Sequence, residues 1–270
     1  MARVTEISPG EWSFDNESSA EAINEIFWAA SESLESGDID EAMEGFRGVL
    51  AANPRHIYAL HHLSIAHERL GNNAEARALA SAAVQHGLAA LPAEFSWNTA
   101  RLQWVDTDNR PFMRAYSNEA RWLEREGESR AAEAIYARLV SVCPDDNLSV
   151  RSLLMRSFLR RSDWVSAVRL ADQYPDDTTA DILYSSPLAH FELHQTDRAT
   201  KALQTAISCK PKIALELLKS EHEEPPPSVI PGTITMGGED EAYFYWQENG
   251  EYWKRNGDLL LLLNKLATKK

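Results

Sequence analysis

A repeated unit of 34 residues limits what this chain can fold into more than any other feature of its sequence. Three segments share a turn glycine and an alanine five residues later: Gly37-Asp38-Ile39-Asp40-Glu41-Ala42, Gly71-Asn72-Asn73-Ala74-Glu75-Ala76 and Gly127-Glu128-Ser129-Arg130-Ala131-Ala132. The first and third copies end in a proline, Pro54 and Pro144, twelve residues after the alanine. Ala167 and Ala199 mark two weaker copies. This period indicates stacked helical units, each burying its apolar face on its neighbours.

These residues resemble the tetratricopeptide repeat (TPR), a helix-turn-helix unit that stacks into a right-handed superhelix. The chemistry agrees with the resemblance, because glycine permits the turn, alanine permits close helix contact, and proline ends the second helix. The pattern covers residues 20–211. The resemblance implies an all-α, TPR-like right-handed helical solenoid of about five helix-turn-helix units.

The period is broken between the second and third copies. Ala76 and Ala132 are 56 residues apart, which is 22 more than one period. The apolar spacing from Phe95 to Val105 fits a helix that packs on the repeats. We therefore expect one inserted helix near residues 88–112, followed by a loop that ends at Pro111.

The ends of the chain differ from the repeats. We expect an N-terminal arm at residues 1–19, a helix and proline-rich linker at 212–238, and C-terminal capping helices at 239–270. An aromatic stripe follows the acidic start of that last segment and is expected to break at Asn249-Gly250. Terminal repeats expose an apolar face, so the tail is predicted to dock on the last repeats.

The tail also carries a second resemblance. The segment PGTITMGGEDEAYFYWQENGEYWKRNGDLLLLLNKL, with AISCKPKIALELL before it, is similar to the C-terminal region of the suppressor-of-tumorigenicity-seven family and its bacterial TPR relatives. In that family the repeats also end in a proline-bearing linker and an acidic-aromatic helix pair. Because no membrane segment precedes the repeats here, the membrane-linked role of the animal members is not implied. The resemblance implies a fold and a lineage, and no activity.

The charge balance limits the class of partner. The chain has 27 Lys and Arg residues against 41 Asp and Glu residues, which gives a net charge of -14. This balance disfavours nucleic acid and anionic membranes, which bind through phosphate neutralisation. We find no signal peptide or bilayer-spanning run and expect a soluble, cytoplasmic protein whose partners are proteins or peptides. Cys143 and Cys209, each just before a repeat-ending proline, are interpreted as reduced packing residues.

Histidines supply the strongest candidate metal motif, but their spacing is wrong. His190 and His194 are four residues apart, yet Phe191 holds the place where a zincin has its glutamate. In repeat register His190 is a packing residue and His194 a turn residue. A second group is spaced by 5, 1 and 5 residues, which puts no pair on one helix face: His56, His61, His62 and His67. We predict no metal and no cofactor.

The candidate binding residues come from the TPR resemblance. In that class, fixed positions of each first helix face a concave groove. Nine residues carry the predicted partner contacts: Phe27, Trp28, Tyr58, His61, His62, Arg114, Asn118, Arg121 and Arg125. Aromatic and arginine side chains often anchor partners. Two alternatives remain open: Phe27 and Trp28 pack against an arm that holds Trp12 and Phe14, and His61 and His62 lie on a plain exposed face.

The function predicted from these features is a non-enzymatic scaffold that binds a partner segment in the concave groove. No nucleophile motif, phosphate-binding loop or calcium loop occurs. One alternative is a regulatory subunit or accessory chaperone of a catalytic partner, and a more distant one is a metal-dependent hydrolase built on His190 and His194. The expected ligand has an acidic group or C-terminal carboxylate held by Arg114, Arg121 and Arg125. An apolar side chain of the same ligand would contact the three aromatic groove residues.

Overall fold

The two helices of each repeat meet at a residue with positive φ, a conformation in which glycine is least strained. One hydrogen bond recurs in these turns: the N–H after the turn residue donates to the carbonyl five residues back, at 2.8 Å from Asp38 to Ser33 and 2.9 Å from Gln195 to His190. The five turn residues are Gly37 (96°), Gly71 (77°), Gly127 (83°), Ser162 (54°) and His194 (59°). His194 therefore occupies the turn position that the repeat register predicts.

The five repeat alanines allow neighbouring helices to pack closely. Each has an exposed fraction of 0%: Ala42, Ala76, Ala132, Ala167 and Ala199. A larger side chain at these points would have to displace a close-packed neighbouring helix. The sequence pattern therefore identified the contact alanine of all five repeats and the turn residue of four, and the turn at Ser162 was not predicted.

The computed structural model describes residues 3–15, 21–226 and 233–268. Within these ranges the chain forms thirteen α-helices and one two-stranded antiparallel sheet. The predicted all-α helical solenoid is confirmed. Residues 1–2 and 16–19 of the predicted arm, residue 20 of the predicted repeat region, residues 227–232 of the predicted linker and the last two lysines lie outside the described residues.

The chain divides into two units, Met1–Val150 and Arg151–Lys270. The first unit contains strands β1 (Arg3–Ser8) and β2 (Glu11–Asp15) and helices α1 (Glu21–Ser36), α2 (Ile39–Ala52), α3 (Ile57–Arg69), α4 (Asn73–Ala90), α5 (Arg110–Arg125) and α6 (Ser129–Val142). The second contains α7 (Val150–Arg160), which starts at the last residue of the first unit, α8 (Trp164–Gln173), α9 (Ala180–Glu192), α10 (Thr196–Cys209), α11 (Pro211–Leu217), α12 (Glu239–Arg255) and α13 (Gly257–Ala267). No helix among the described residues is long and apolar enough to cross a membrane.

The prediction of an inserted helix near residues 88–112 is wrong. Helix α4 continues to Ala90, residues 91–106 form no helix, and one 3₁₀ turn, Thr107–Asn109, leads into α5. The backbone of this insert forms local turns, such as the bond from the Ala100 N–H to the Ser96 carbonyl at 2.8 Å, and it also bonds to other elements. The Leu102 N–H donates to the Val142 carbonyl at 2.9 Å, and the Arg101 carbonyl accepts from the Trp12 N–H at 2.8 Å.

Asn109 joins the insert to the N-terminal hairpin. Its side chain is buried; Oδ1 accepts from the Phe14 N–H at 3.0 Å, and Nδ2 donates to the carbonyls of Trp12 and Gln103, both at 3.2 Å. These bonds satisfy backbone groups that would be costly to bury unpaired. The predicted arm is therefore, at residues 3–15, a hairpin fixed to the start of α5.

The predicted break at Asn249-Gly250 is also wrong, because α12 is continuous and ends at Arg255. Gly250 serves packing: a Cβ there would lie 2.7 Å from Cδ1 of Trp246. Asn249 Nδ2 donates to Oδ1 of Asp181 on α9 at 3.3 Å. Asparagine and glycine are typical of helix ends, but here both residues make packing contacts within an unbroken helix.

The last two helices complete the core of the second unit. Trp253, Leu259 and Leu263 are fully buried in one apolar cluster with residues of α9, α10 and α11. Lys210 at the end of α10 forms a buried ion pair with Glu241 of α12, with two N–O distances of 2.7 Å. Helices α12 and α13 thus cover the apolar side of α10 and α11.

Gly87 on α4 gives a first stability prediction. A Cβ on this residue would lie 2.1 Å from Cδ2 of the buried Phe112, so we expect Gly87→Ala to lower the free energy of unfolding by about 1–3 kcal/mol. Gly48→Ala is the matched control, since its Cβ would meet nothing closer than 3.9 Å and helical alanine is favoured over glycine. Urea unfolding measures both. Equal effects of the two changes would show that the α4–α5 packing is not as tight as described.

Candidate functional site

Helices α1, α3 and α5 line a cavity of about 470 Å³ in the first unit, here called the groove cavity. Phe27 and Trp28 of α1, Tyr58 of α3 and Arg114 of α5 lie on its wall. Four of the nine predicted groove residues are therefore brought together. A cavity of this size is in the range used for small ligands or single anchoring side chains.

The aromatic wall of the groove cavity consists of Phe27, Trp28 and Tyr58. Phe27 stacks on Tyr58 with ring centroids 4.9 Å apart, and Trp28 meets Phe27 edge-on at 5.1 Å. Phe27 is buried, whereas Trp28 is 61% exposed. The alternative in which the arm covers Phe27 and Trp28 is wrong, because Phe14 stacks on Phe112 at 4.8 Å and the arm's Trp12 packs edge-on against Phe95.

Arginines form another part of the wall. Arg114 donates to the Tyr58 hydroxyl, and its guanidinium lies 5.3 Å from the ring centroid of Trp104. Arg110 lies 5.1 Å from the same ring, and its Nε donates to the Trp104 carbonyl at 2.9 Å. Arg55 is exposed in the loop before α3. Arg55 and Arg110 lie outside the repeat positions, which is why the repeat register did not predict them.

His61 and His62 lie behind the aromatic wall instead of lining the cavity. His62 Nδ1 is 2.9 Å from the Tyr58 carbonyl, and its ring meets the Tyr58 ring edge-on at 4.3 Å. Burial lowers the pKa of His62 to about 4, and the charge of Arg114 adds to this effect. Burial, with the charges of His62, Arg114 and Arg121, lowers the pKa of His61 to about 3. Both rings are therefore neutral at pH 7, and the buried His61 is not available as an exposed contact.

The remaining predicted residues follow Arg114 along α5. Arg125 pairs with Glu68 of α3 and lies 4.8 Å from the ring centroid of Trp122. Arg121 is exposed and forms no ion pair with any residue that the structure describes. Asn118 is half-buried, and its Nδ2 has no hydrogen-bond partner among the described residues. Neither Arg121 nor Asn118 lines the groove cavity, the Asn118 amide nitrogen is buried, and Arg125 is already engaged.

The candidate metal and thiol residues are placed separately. Over the described ranges, no three His, Cys, Asp or Glu side chains meet in a group that could hold a metal ion. His190 is buried with Nδ1 2.8 Å from Gln195 Oε1, while His194 is exposed in its turn. Burial raises the pKa of the Cys143 thiol. Cys209 is exposed, so its interpretation as a packing residue is wrong.

The family of the chain follows from a comparison along almost its whole length. A family model described as transcriptional repressor TCF25 matches residues 12–269, from β2 to the end of the C-terminal helices. The chain belongs to the Tcf25 family. The tail that resembled the suppressor-of-tumorigenicity-seven family lies inside this match, and the link to that family is unconfirmed. No curated protein matches the sequence.

Solved structures similar to this Tcf25-family chain are TPR proteins. A TPR protein from Parabacteroides merdae superposes with a TM-score of 0.53 at 14% identity, covering 93% of this chain and 86% of its own. The C-terminal part of a TPR protein from Cytophaga hutchinsonii gives 0.50 at 14% identity over 88% and 85%. YrrB, described as a TPR protein with an unusual peptide-binding site, gives 0.50 at 13% identity over 73% and 94%. At these identities the likeness establishes the fold.

Proposed function

We propose that this chain is a non-enzymatic protein-interaction scaffold that holds a segment of a partner protein against α1, α3 and α5. The observation that carries the proposal is the groove cavity, where Trp28, Tyr58 and Arg114 of three different helices share one wall. An exposed tryptophan beside a cavity can anchor an apolar side chain, and the arginine adds directional donors. The peptide-binding site in the description of YrrB is in keeping with this use of the fold.

The partner is proposed to be a protein. A net charge of -14 opposes binding to nucleic acid, so a chain of this composition would enter a larger assembly through protein contacts. The family description, transcriptional repressor, favours a second candidate function as a protein-binding subunit of a repressor complex. That function places the chain in the nucleus, whereas the sequence analysis predicts the cytoplasm. Both candidates, and a role as regulatory subunit or accessory chaperone, use the same groove.

The test is co-purification with two groove variants, Trp28→Ser and Arg55→Glu, compared with the wild-type chain by quantitative mass spectrometry. Both residues are exposed, so each variant should stay folded. We expect recovery of a specific partner to fall at least about tenfold, which corresponds to about 1.4 kcal/mol of binding free energy.

The controls match these changes in chemistry. Leu215→Ser removes an exposed apolar side chain from α11, and Arg130→Glu reverses an exposed charge on α6. Both should retain the partner. If Trp28→Ser and Arg55→Glu recover every wild-type partner at wild-type levels, recognition lies outside the groove.

A further inference from the structure

The groove cavity is a positive site in a negative molecule. Arg55, Arg110 and Arg114 all line it, and Asp108 is the acidic residue among its lining. The whole chain has 14 more acidic than basic residues. Three arginines around one cavity therefore create a local contrast of charge that attracts anions.

The donors of these arginines are largely unused. The Arg55 guanidinium has no hydrogen bond or ion pair to any described residue, although the Arg55 backbone N–H donates to Asn53 Oδ1 at 3.1 Å. Arg110 uses only Nε in the bonds that the structure describes. A guanidinium has five N–H donors, and Arg114 donates from Nη1 to the Tyr58 hydroxyl, so most donors of the three arginines have no described partner. The Trp104 ring lies close to the guanidinium groups of both Arg110 and Arg114, which restricts their freedom before a ligand arrives. Such pre-ordering reduces the entropy lost on binding.

Two helices of 13 and 16 residues also begin at this cavity. The first turn of α3 contributes Ile57 and Tyr58, and the first turn of α5 contributes Arg110 and Pro111. Helix N-termini carry partial positive charge, and this field adds to that of the arginines. The His56 ring already accepts a hydrogen bond from the Ala59 N–H at 3.0 Å and so caps the start of α3. Helix α3 therefore contributes the electrostatic field of its N-terminus to the cavity.

We infer that the groove cavity is an anion subsite that takes an Asp or Glu side chain of an acidic partner segment, with a neighbouring apolar side chain placed on Trp28. The inference rests on the proposed function and names the chemistry of the partner. Bidentate arginine–carboxylate bonds supply the direction, and the exposed indole supplies apolar contact area. The subsite differs from the one predicted from sequence, since Arg55 and Arg110 take the place of Arg121 and Arg125.

The experiment is a selection of random 12-residue peptides displayed on phage against the purified full chain. We expect the selected peptides to be enriched in Asp or Glu next to an aromatic or aliphatic residue. A fluorescein-labelled copy of the most enriched peptide is then titrated into the chain by fluorescence polarisation. Replacement of its acidic residues with Asn or Gln should weaken binding at least about tenfold, and a phosphoserine copy shows whether phosphate is preferred to carboxylate.

Protein variants locate the subsite. The double change Arg55→Gln, Arg110→Gln removes two charges from the cavity wall. It should weaken binding of the labelled peptide at least about tenfold and make that binding less dependent on salt concentration. The control Arg47→Gln, Arg130→Gln removes two charges from exposed positions of the same unit that do not line the cavity. This control should bind within about twofold of wild type, and thermal melting checks that both proteins fold.

The outcomes test the anion subsite and the proposed function separately. Selected peptides without acidic enrichment, or binding unchanged by Arg55→Gln, Arg110→Gln, would overturn the anion subsite. If such binding still depended on Trp28, the groove would remain the partner site. Failure to select any peptide, together with unchanged co-purification by the groove variants, would overturn the proposed function itself.

Discussion

Deletion of residues 221–270 is expected to unfold or aggregate the second unit. Helices α12 and α13 supply Tyr245, Trp253, Leu259 and Leu263 to its core, and all four side chains are buried. Without them, the apolar faces of α10 and α11 would be open to water, as at an uncapped repeat end. Circular dichroism melting and gel filtration measure the effect. A truncated chain that stays monomeric and melts at the wild-type temperature would contradict the capping role.

A matched pair on α13 tests the same packing without deletion. Leu263 is fully buried and Leu261 is 68% exposed, so the two positions differ in burial but not in chemistry. Leu263→Ala should cost about 2–5 kcal/mol, or roughly 5–15 °C in melting temperature. Leu261→Ala should cost less than about 0.5 kcal/mol. Equal small effects would show that α13 is not held on the core.

Acid should destabilise the first unit through His61 and His62. Their pKa values in the folded chain are lowered to about 3 and about 4, whereas an unfolded histidine has about 6.5. Between these values the unfolded chain binds more protons, so protonation favours unfolding. The stabilisation is complete above pH 6.5 and is lost as the pH falls toward 4. At pH 5 each histidine should account for a loss of about 2 kcal/mol.

The measurement is urea unfolding at pH 7.5 and pH 5.0. His61→Leu should reduce the difference in unfolding free energy between the two pH values, because it removes a group that must stay neutral in the fold. His194→Asn is the control, since His194 is exposed and asparagine tolerates its positive φ. A wild-type chain equally stable at both pH values, or a His61→Leu chain with the same pH dependence as wild type, would refute this account.

The repeats could be predicted because their signals are local. Gly37 and Ala42 are only five residues apart, and both act within the same pair of helices. A positive φ favours glycine and a close helix contact favours a small residue such as alanine, so both can be recognised from the residue type. The same local logic correctly placed His194 in a turn.

The insert could not be predicted because its structure is fixed by distant residues. Its apolar spacing resembled a helix, but the Leu102 and Arg101 backbones pair with α6 and the hairpin. Nothing around Asn109 indicates that its side chain will bond to the Trp12 carbonyl and the Phe14 N–H. Long-range pairing overrode the local periodicity.

The candidate site was predicted in part for the same reason. The repeat register finds residues that face the groove from α1, α3 and α5, and four of these line the cavity. It cannot tell that Arg125 pairs with Glu68 or that His61 is buried. It also omits Arg55 and Arg110, because a loop and an insert have no repeat position.

The bonds of Asn109 also set an order of events during synthesis. They join residues 95 and 97 positions apart, so the hairpin cannot dock until more than ninety further residues have left the ribosome. At roughly 5–20 residues per second this delay is about 5–20 seconds, far longer than helix formation in α1 to α4. The apolar side chains of Trp12 and Phe14 stay uncovered during that interval and are open to chaperones. The groove cavity, whose wall includes Thr107 and Asp108, is therefore among the last parts of the first unit to mature.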